Sequence, residues 1–317
     1  MKRRTVLAGG LALLAHQSPV LASNRPMRFI VPFQAGAATD IAARMLGERF
    51  TKVTGRPVVV VNKPGADGLL AAREVINADP PGDTLLFATN TAITAVNTFH
   101  PKPFFDPLVD LTPILRAGYF DYILVANQSR PFATAEELVK FAKENPNQLT
   151  FASGSSTALV AMTQWADSAG IKLRHIPYNS EPPAVIDLVS GQTDVMFAVP
   201  ATTLGFIKDK KIRALMVATQ SRLPALPDVP TLTESGFADL TLRGWGGFFG
   251  PGKMDKNVAR DLNRVLGDIL ATEETRQALA GNYLRVSTTS LDEFNTFVRD
   301  QLTQTAQVVR EHNLFKK

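Results

Sequence analysis

The chain has 317 residues, 45% hydrophobic and 20% charged, with 21 Gly, 21 Pro and no Cys. These proportions describe an ordinary globular protein and exclude collagen, coiled coil and disorder; the missing cysteine excludes a disulfide framework, a thiolate metal site and a cysteine nucleophile. Residues 1–22 hold three cations and no acid, so without them the formal charge of +5 becomes +5 − 3 = +2. With no Lys/Arg cluster interleaved with aromatics in the remainder, a nucleic-acid partner is excluded.

Those first residues read as an export signal. Lys2, Arg3 and Arg4 precede an apolar run from Val6 to Ala15, and Val20-Leu21-Ala22 forms a small-residue cleavage site. The run falls far short of the ~20 residues needed to span a membrane. Arg3-Arg4 fits Sec and twin-arginine export alike, and both lead to the periplasm of a Gram-negative cell.

The mature part opens with an apolar strand, Met27 to Pro32, then a small-residue loop, Phe33 to Ala38. Ile41, Met45, Leu46, Phe50 and Val53 recur at helical spacing, and Gly55 stands where that helix should stop. Four consecutive valines, Val58 to Val61, predict a strand buried on both faces of a parallel sheet. A turn at 63–68, a helix from Leu69 to Ala78 and a strand from Thr84 to Thr89 complete a βαβαβ rhythm. A long extended stretch, Tyr119 to Ala126, leads to a second unit. There Thr134 and Glu137 predict a capping box for a helix over 135–145. Strand 149–152, the small polar loop Ser153 to Thr157, a helix to Ala169, strand 174–178, helix 184–190, strand 194–198 and strand 213–218 follow. A second extended crossing, Leu240 to Phe249, precedes a helix over 256–271, a short strand near 284–287 and a long helix capped by Ser290 and Glu293.

Two α/β units joined by two crossings predict two lobes around a ligand cleft. The expected division is 1–22 signal, 23–121 plus 248–317 first lobe, and 122–247 second lobe.

The residues give catalysis little support. His100, His175 and His312 are isolated, no metal-ligand spacing occurs, and Walker, G-x-G-x-x-G and G-x-S-x-G motifs are missing. The serines at 153, 155 and 156 lack a nameable base in sequence. No metal or organic cofactor is expected. What the chain offers is anion-binding backbone: each small-residue loop joins a strand to a helix, where first-turn N–H groups and the helix dipole favour a carboxylate. Gly36 and Gly154 allow close approach to the main chain; Thr39, Ser153, Ser155, Ser156 and Thr157 add hydroxyl donors. Neither loop contains Lys or Arg, which suits reversible capture.

At these residues the sequence resembles the substrate-binding proteins of tripartite tricarboxylate transporters, the Bug family of periplasmic solute receptors. The resemblance runs through Val31–Arg44 (VPFQAGAATDIAAR), Gly55–Gly68 (GRPVVVVNKPGADG), Thr150–Thr157 (TFASGSST), His175–Ala198, Arg222–Phe237 and Trp245–Pro251 (WGGFFGP). It implies a type II-like, two-lobed fold closing on a small carboxylate for delivery to an integral-membrane permease. It places the ligand against Phe33, Gln34, Gly36, Ala37, Thr39 and Asp40, and against Ser153, Gly154, Ser155, Ser156 and Thr157. Thr89 and Asn90 are further candidates, as are Tyr178 and Asp194, the latter orienting a loop or meeting an amino or hydroxyl group. Two departures bear on the ligand: Ala37 stands where the family usually has glycine, and Asn179-Ser180-Glu181 follows Tyr178 where Lys and glycines are usual.

Phe33, Phe197, Trp245 and Phe248 would suit an aromatic acid such as terephthalate if two or more face the cleft; otherwise a short di- or tricarboxylate is expected. Arg243 is the cation expected at a distal carboxylate. A monomeric receptor is the default. The competing readings are a ligand receptor for a sensor kinase and a secreted hydrolase using one of the 153–156 hydroxyls.

Overall fold

The computed structural model describes residues 25–314 except Pro80, Gln220, Ala238, Asp239 and 241–243, so the export-signal expectation and Arg243 lie outside the described residues. Its first half alternates strand and helix: β1 (Met27–Val31), α1 (Ala38–Thr54), β2 (Val58–Asn62), α2 (Leu69–Ile76) and β3 (Thr84–Thr89), followed by a helical segment over 91–98 and β4 (Leu111–Phe120). The second unit comprises β5 (Ile123–Asn127), α3 (Ala135–Glu144), β6 (Thr150–Ser153), α4 (Ser156–Ser168), β7 (Arg174–Pro177), α5 (Glu181–Ser190), β8 (Val195–Ala198), α6 (Pro200–Lys208) and β9 (Ile212–Val217). The chain then returns through β10 (Gly244–Pro251) and closes with α7 (Lys256–Ala271), α8 (Glu273–Gly281), β11 (Leu284–Val286) and α9 (Leu291–Glu311).

These strands form two sheets, ordered β11-β4-β10-β3-β1-β2 and β7-β6-β8-β5-β9. In each, a parallel core takes a reverse strand that arrives from the other lobe's side of the chain: β10 runs antiparallel to β3 and β4, and β5 antiparallel to β8 and β9; in the first sheet the edge strand β11 is also antiparallel to β4. The fold is therefore a two-lobed α/β architecture, with a cleft where the chain passes twice between sheets. The two passages lie side by side, since Phe120 pairs with Gly244 and the Ala218 N–H donates to Tyr122 O at 2.8 Å.

Each sheet is covered on both faces. In the first lobe Ala42, Leu46 and Phe50 of α1 meet Leu262, Leu266 and Ile269 of α7 over one face, and Leu69, Val75, Phe294 and Val298 cover the other. In the second, Leu138, Met162 and Trp165 pack on one face and Val185 and Leu188 on the opposite one. Helix ends follow local chemistry: Gly55 takes φ 73° to close α1, Asp255 caps α7, and Ser290 with Glu293 forms the full capping box of α9.

Several elements differ from expectation for physical reasons. The valine strand β2 is the sheet's outer edge, with Val59 49% exposed, because no strand lies beyond it and valine enrichment reports β-propensity rather than a central position. The stretch expected as one strand from Tyr119 is two, β4 and β5, in different sheets. Asp121 breaks it where Arg285 Nε donates to its carboxylate at 2.7 Å. Thr134 accepts from Glu137 N as predicted, but the Glu137 carboxylate accepts from Ala133 N, so the reciprocal half of the box falls one residue early. Helix α6 was not expected from its threonines and Gly205, nor was α8. The first sheet takes the returning chain from Gly244, four residues before the expected 248.

Phe248 sits at the middle of the first core, fully buried, with ring centroids 4.7 Å from Phe87 and 5.0 Å from Phe29. Phe248→Ala is expected to lower stability by about 3–5 kcal/mol in chemical denaturation, the usual range for emptying an aromatic core site.

Candidate functional site

The carboxyl ends of β1, β3, β6 and β8 all point at the space between the lobes, the place where open α/β sheets bind ligands. A cavity of about 50 Å³, partly open to solvent, lies there. The first lobe contributes Phe33, Ala37, Ala38 and Thr39 from the β1–α1 loop and Thr89, Asn90 and Thr91 after β3. From the second come Gly154 and Ser155 after β6, Glu181 at the start of α5, and Val199 and Thr202 at the start of α6. The crossings supply its floor, Phe120, Tyr122 and Gly244. A second, more outward cavity shares Phe33, Thr91, Gly154 and Ser155 with the first and adds Asp67, Tyr178 and Asn179. Its rim includes the turn at 65–68, where Gly65, Ala66, Asp67 and Gly68 all have positive φ.

Backbone donors dominate the first-lobe wall. Helix α1 starts at Ala37, whose side chain cannot cap, while Ala37, Ala38 and Thr39 are each at most 7% exposed. First-turn N–H groups of any helix lack an intrahelical partner; here Ala37 N donates to Gln34 O at 3.2 Å, while Ala38 and Thr39, next in the turn, line the cavity. The Thr89 hydroxyl, on a residue 8% exposed, has no hydrogen-bond partner among the described residues. A buried hydroxyl left so costs about 1–3 kcal/mol unless a ligand or water completes it.

The second-lobe wall is built on a close approach of two backbones. A Cβ on Gly154 would meet Glu181 Cα and N at 2.4 Å, so only glycine lets the β6–α4 loop lie against the start of α5. The Ser155 hydroxyl accepts from Ala158 N as the α4 cap and also bonds to Tyr122. Glu181 Oε1 accepts from Val199 N at 3.1 Å and from the Thr202 hydroxyl, tying α5 to the first turn of α6. Withdrawal from water pushes the Glu181 carboxyl up to about 7, although the Thr202 and Val199 donors pull the other way. Burial also raises the Tyr122 phenol, and the neighbouring Glu181 charge adds to it.

The residues expected at the site divide accordingly. Phe33, Ala37, Thr39, Thr89, Asn90, Gly154 and Ser155 line the inner cavity and Tyr178 the outer one. The others expected in the two loops stand behind or beside the wall. Asp40 folds the β1–α1 loop from behind: its carboxylate takes Gly36 N at 3.0 Å, Asn62 Nδ2 at 2.9 Å and the Arg44 guanidinium. Burial would raise its pKa, but those three partners prevail and lower it. Gln34 is exposed and accepts from the Ser180 hydroxyl at 3.2 Å across the cleft; the Thr157 and Thr91 hydroxyls also join the lobes, at 3.0 Å. Ser156 is buried in the first turn of α4. Tyr178 donates to Asp187 at 2.7 Å, and desolvation with that carboxylate pushes the phenol up to about 12.

Asp194 lies at the opposite, amino end of β8. There it accepts from Thr150 N and the Thr150 hydroxyl and pairs with Arg130, so it orients the base of the second lobe instead of reaching the cleft. Phe197, Trp245 and Phe248 are wholly buried in the cores, so of the four aromatics expected as a wall only Phe33 lines the cavity. Phe120 and Tyr122 fill that role instead. They escaped sequence reading because the sheet change at 121–122 is invisible in an unbroken extended pattern. Val199 and Thr202 were missed with α6, although Pro200 at its first turn was a usable signal.

His175 supplies the base that sequence spacing did not reveal: its Nε2 is 2.7 Å from Ser153 Oγ across β6 and β7. Ser153 is only 4% exposed and lines neither of these two cavities. Among the described residues no group of three His, Asp or Glu could hold a metal ion.

Two outcomes follow. Glu181 ionises near its ordinary 4.5 when unfolded and near 7 when folded, so its contribution to stability is fully present below about 4.5 and is lost as pH rises through 7. Glu181→Gln should remove a fall of order 2–3 kcal/mol across that window in denaturation of the ligand-free protein. Asp194→Ala should cost about 1–3 kcal/mol by leaving the buried Thr150 N and hydroxyl unpaired, with ligand affinity unchanged in titration calorimetry.

With the geometry described, comparison places the chain among known proteins. The family model for the tripartite tricarboxylate transporter family receptor matches residues 42–314. A protein of the tcbD–tcbE intergenic region of Pseudomonas sp. (strain P51) is 34% identical over 289 residues, covering 87% of this chain and 84% of that one. Among solved structures, the periplasmic binding protein BugD is 27% identical with a TM-score of 0.85, covering 93% of this chain and 100% of its own. MatC of Rhodopseudomonas palustris, solved with malate bound, is 25% identical with a TM-score of 0.81 over 90% of this chain and 99% of that one.

Proposed function

Since the chain belongs to the tripartite tricarboxylate transporter receptor family, we propose that it is a periplasmic receptor that captures a small organic carboxylate and delivers it to an integral-membrane permease of that class. The observation that carries the reading is the uncapped, buried start of α1 at the cleft between the lobes, beside the unpartnered Thr89 hydroxyl. A carboxylate completes both: its oxygens accept from the free first-turn N–H groups and from Thr89, in the field of the helix dipole. The start of α4 faces the same cavity through Gly154 and Ser155, so one anion engages both lobes and closure is coupled to capture.

Phe33, Phe120 and Tyr122 enclose the remainder of the ligand with Ala37, Ala38 and Val199, which favours an apolar or aromatic body behind the carboxylate. The malate bound by MatC supports a ligand of this size. Holding the carboxylate by neutral donors leaves no Lys or Arg ion pair to break at that end on release, which suits a carrier that must give up its ligand at the membrane. No cofactor takes part. The receptor works as a monomer, and its docking partner is the permease.

The test is a thermal-shift screen of the protein, unfolded and refolded to strip bound ligand, against aliphatic and aromatic carboxylates with their amides as controls. A ligand at a hundred times its dissociation constant stabilises by about 2.7 kcal/mol, a clear shift, while the matching amide gives none. Thr89→Val should weaken that ligand about tenfold and leave the ligand-free protein at least as stable as before, because the unpartnered buried hydroxyl has no bond to lose. Absence of a shift with every acid, or turnover of any ester or amide in the screen, rejects the reading.

A further inference from the structure

Inside the inner cavity the described residues present two ionisable groups, Glu181 and Tyr122. Each element facing Glu181 is otherwise neutral: Ala37, Ala38 and Thr39 of α1, Thr89, Asn90 and Thr91 after β3, Gly154 and Ser155 before α4, Val199 and Thr202 of α6, Phe120 and Gly244 of the crossings. Behind the α1 loop, Asp40 and Arg44 are spent on one another. The outer cavity adds Asp67 and Tyr178 and no cation. A site for an anion is thus walled by neutral donors and by acids.

We propose that Glu181 selects the ligand, favouring carboxylates that carry an ammonium group over di- and tricarboxylates, so that the protein is a receptor for an aminocarboxylate. The inference rests on the carboxylate-receptor reading above.

The geometry of the carboxylate supports it. Oε1 is taken by Val199 N and the Thr202 hydroxyl, whereas Oε2 has only the longer contact to Val199 N at 3.3 Å. A carboxylate offers about four acceptor sites, so capacity remains for a donor inside the cavity. The Gly154 contact fixes the Glu181 backbone, and the bonds from Val199 N and Thr202 hold its carboxylate at the cavity. A second ligand carboxylate would meet a like charge in a poorly solvated space, while an ammonium would meet an opposite one. The apolar floor of Phe120 and Tyr122 suits the carbon chain or ring joining the two ends.

The role is separable from a purely structural tie between α5 and α6, because a glutamine keeps an acceptor for Val199 N and Thr202 and removes only the charge. Calorimetric titration of wild type and Glu181→Gln at pH 8 and pH 5.5 would use pairs in which an ammonium replaces a methyl group. These are 4-aminobutanoate against pentanoate and 4-(aminomethyl)benzoate against 4-ethylbenzoate, with glutarate and terephthalate as diacids. In wild type at pH 8 the ammonium member of at least one pair should bind tenfold or more tighter than its partner and than either diacid. Because the Glu181 carboxyl ionises near 7, that preference should shrink by up to about tenfold per pH unit below 7. In Glu181→Gln the two members should bind alike at both pH values.

Diacids binding as well as the ammonium ligands at pH 8, or a preference that survives in Glu181→Gln, overturns the proposal and leaves the carboxylate receptor standing. Failure of every acid, with or without nitrogen, rejects the receptor itself. If Glu181→Gln does not fold, the pH dependence in wild type decides alone.

Discussion

A helix that begins in a nearly dry space must find partners for its first-turn N–H groups, and α1 begins with alanines where serine or aspartate would have closed the account locally. Five other helices do carry side-chain caps: Thr134 for α3, Ser155 for α4, Asp255 for α7, Thr272 for α8 and Ser290 for α9. Helices α1, α2, α5 and α6 start without one, and first-turn residues of α1, α5 and α6 line the cleft. Much else in the first lobe holds the start of α1 in place. Asp40, one turn into the helix, turns its carboxylate back to Gly36 N and Asn62, so the loop before Ala37 is fixed without any side chain entering the space where an anion would lie.

The same constraint explains why the second lobe must come close. A single set of helix N–H groups at an open surface would be satisfied by water; facing a second strand–helix loop, it becomes a site with two walls. The approach is set by the paired crossings, which bring Phe120 beside Gly244 and Tyr122 beside Ala218, and by bonds across the opening from Gln34 to Ser180 and Thr91 to Thr157. Because Phe120, Tyr122 and Gly244 also form the cavity floor, the segments that carry the chain between lobes line the proposed ligand space. A ligand held there would couple capture to closure through these shared residues.

The sequence made the elements legible where local chemistry decides them. Helix α7 begins and ends as its 3.6-residue periodicity and its Asp255 cap require, Gly55 ends α1, and Ser290 with Glu293 starts α9. It also pointed to the two small-residue loops, because strand-to-helix turns rich in Ala, Gly and Ser are chemically distinctive. What it could not show are properties of the sheet order. Val58–Val61 reads as central and is an edge; Trp245, Phe248 and Phe197 read as candidates for a wall and are core; Asp194 lies two residues from the segment ending in Gln192 yet at the far end of its strand. A period-2 pattern gives alternation but not which end of a strand meets the ligand, and the end is what separates Asp194 from Val199.

Glu181 brings these threads to one point. In sequence it is an acid after Ser180, indistinguishable from a first-turn glutamate favoured by the helix dipole. In space its backbone lies where only a glycine at 154 can pass, its carboxylate binds the start of α6, and its environment holds it near the midpoint of ionisation at neutral pH. A receptor whose anion-binding groups are all uncharged has no strong electrostatic means of telling one acid from another. Setting one carboxylate, itself responsive to a ligand's charge, among those neutral donors supplies discrimination without a cation that would hold every anion alike.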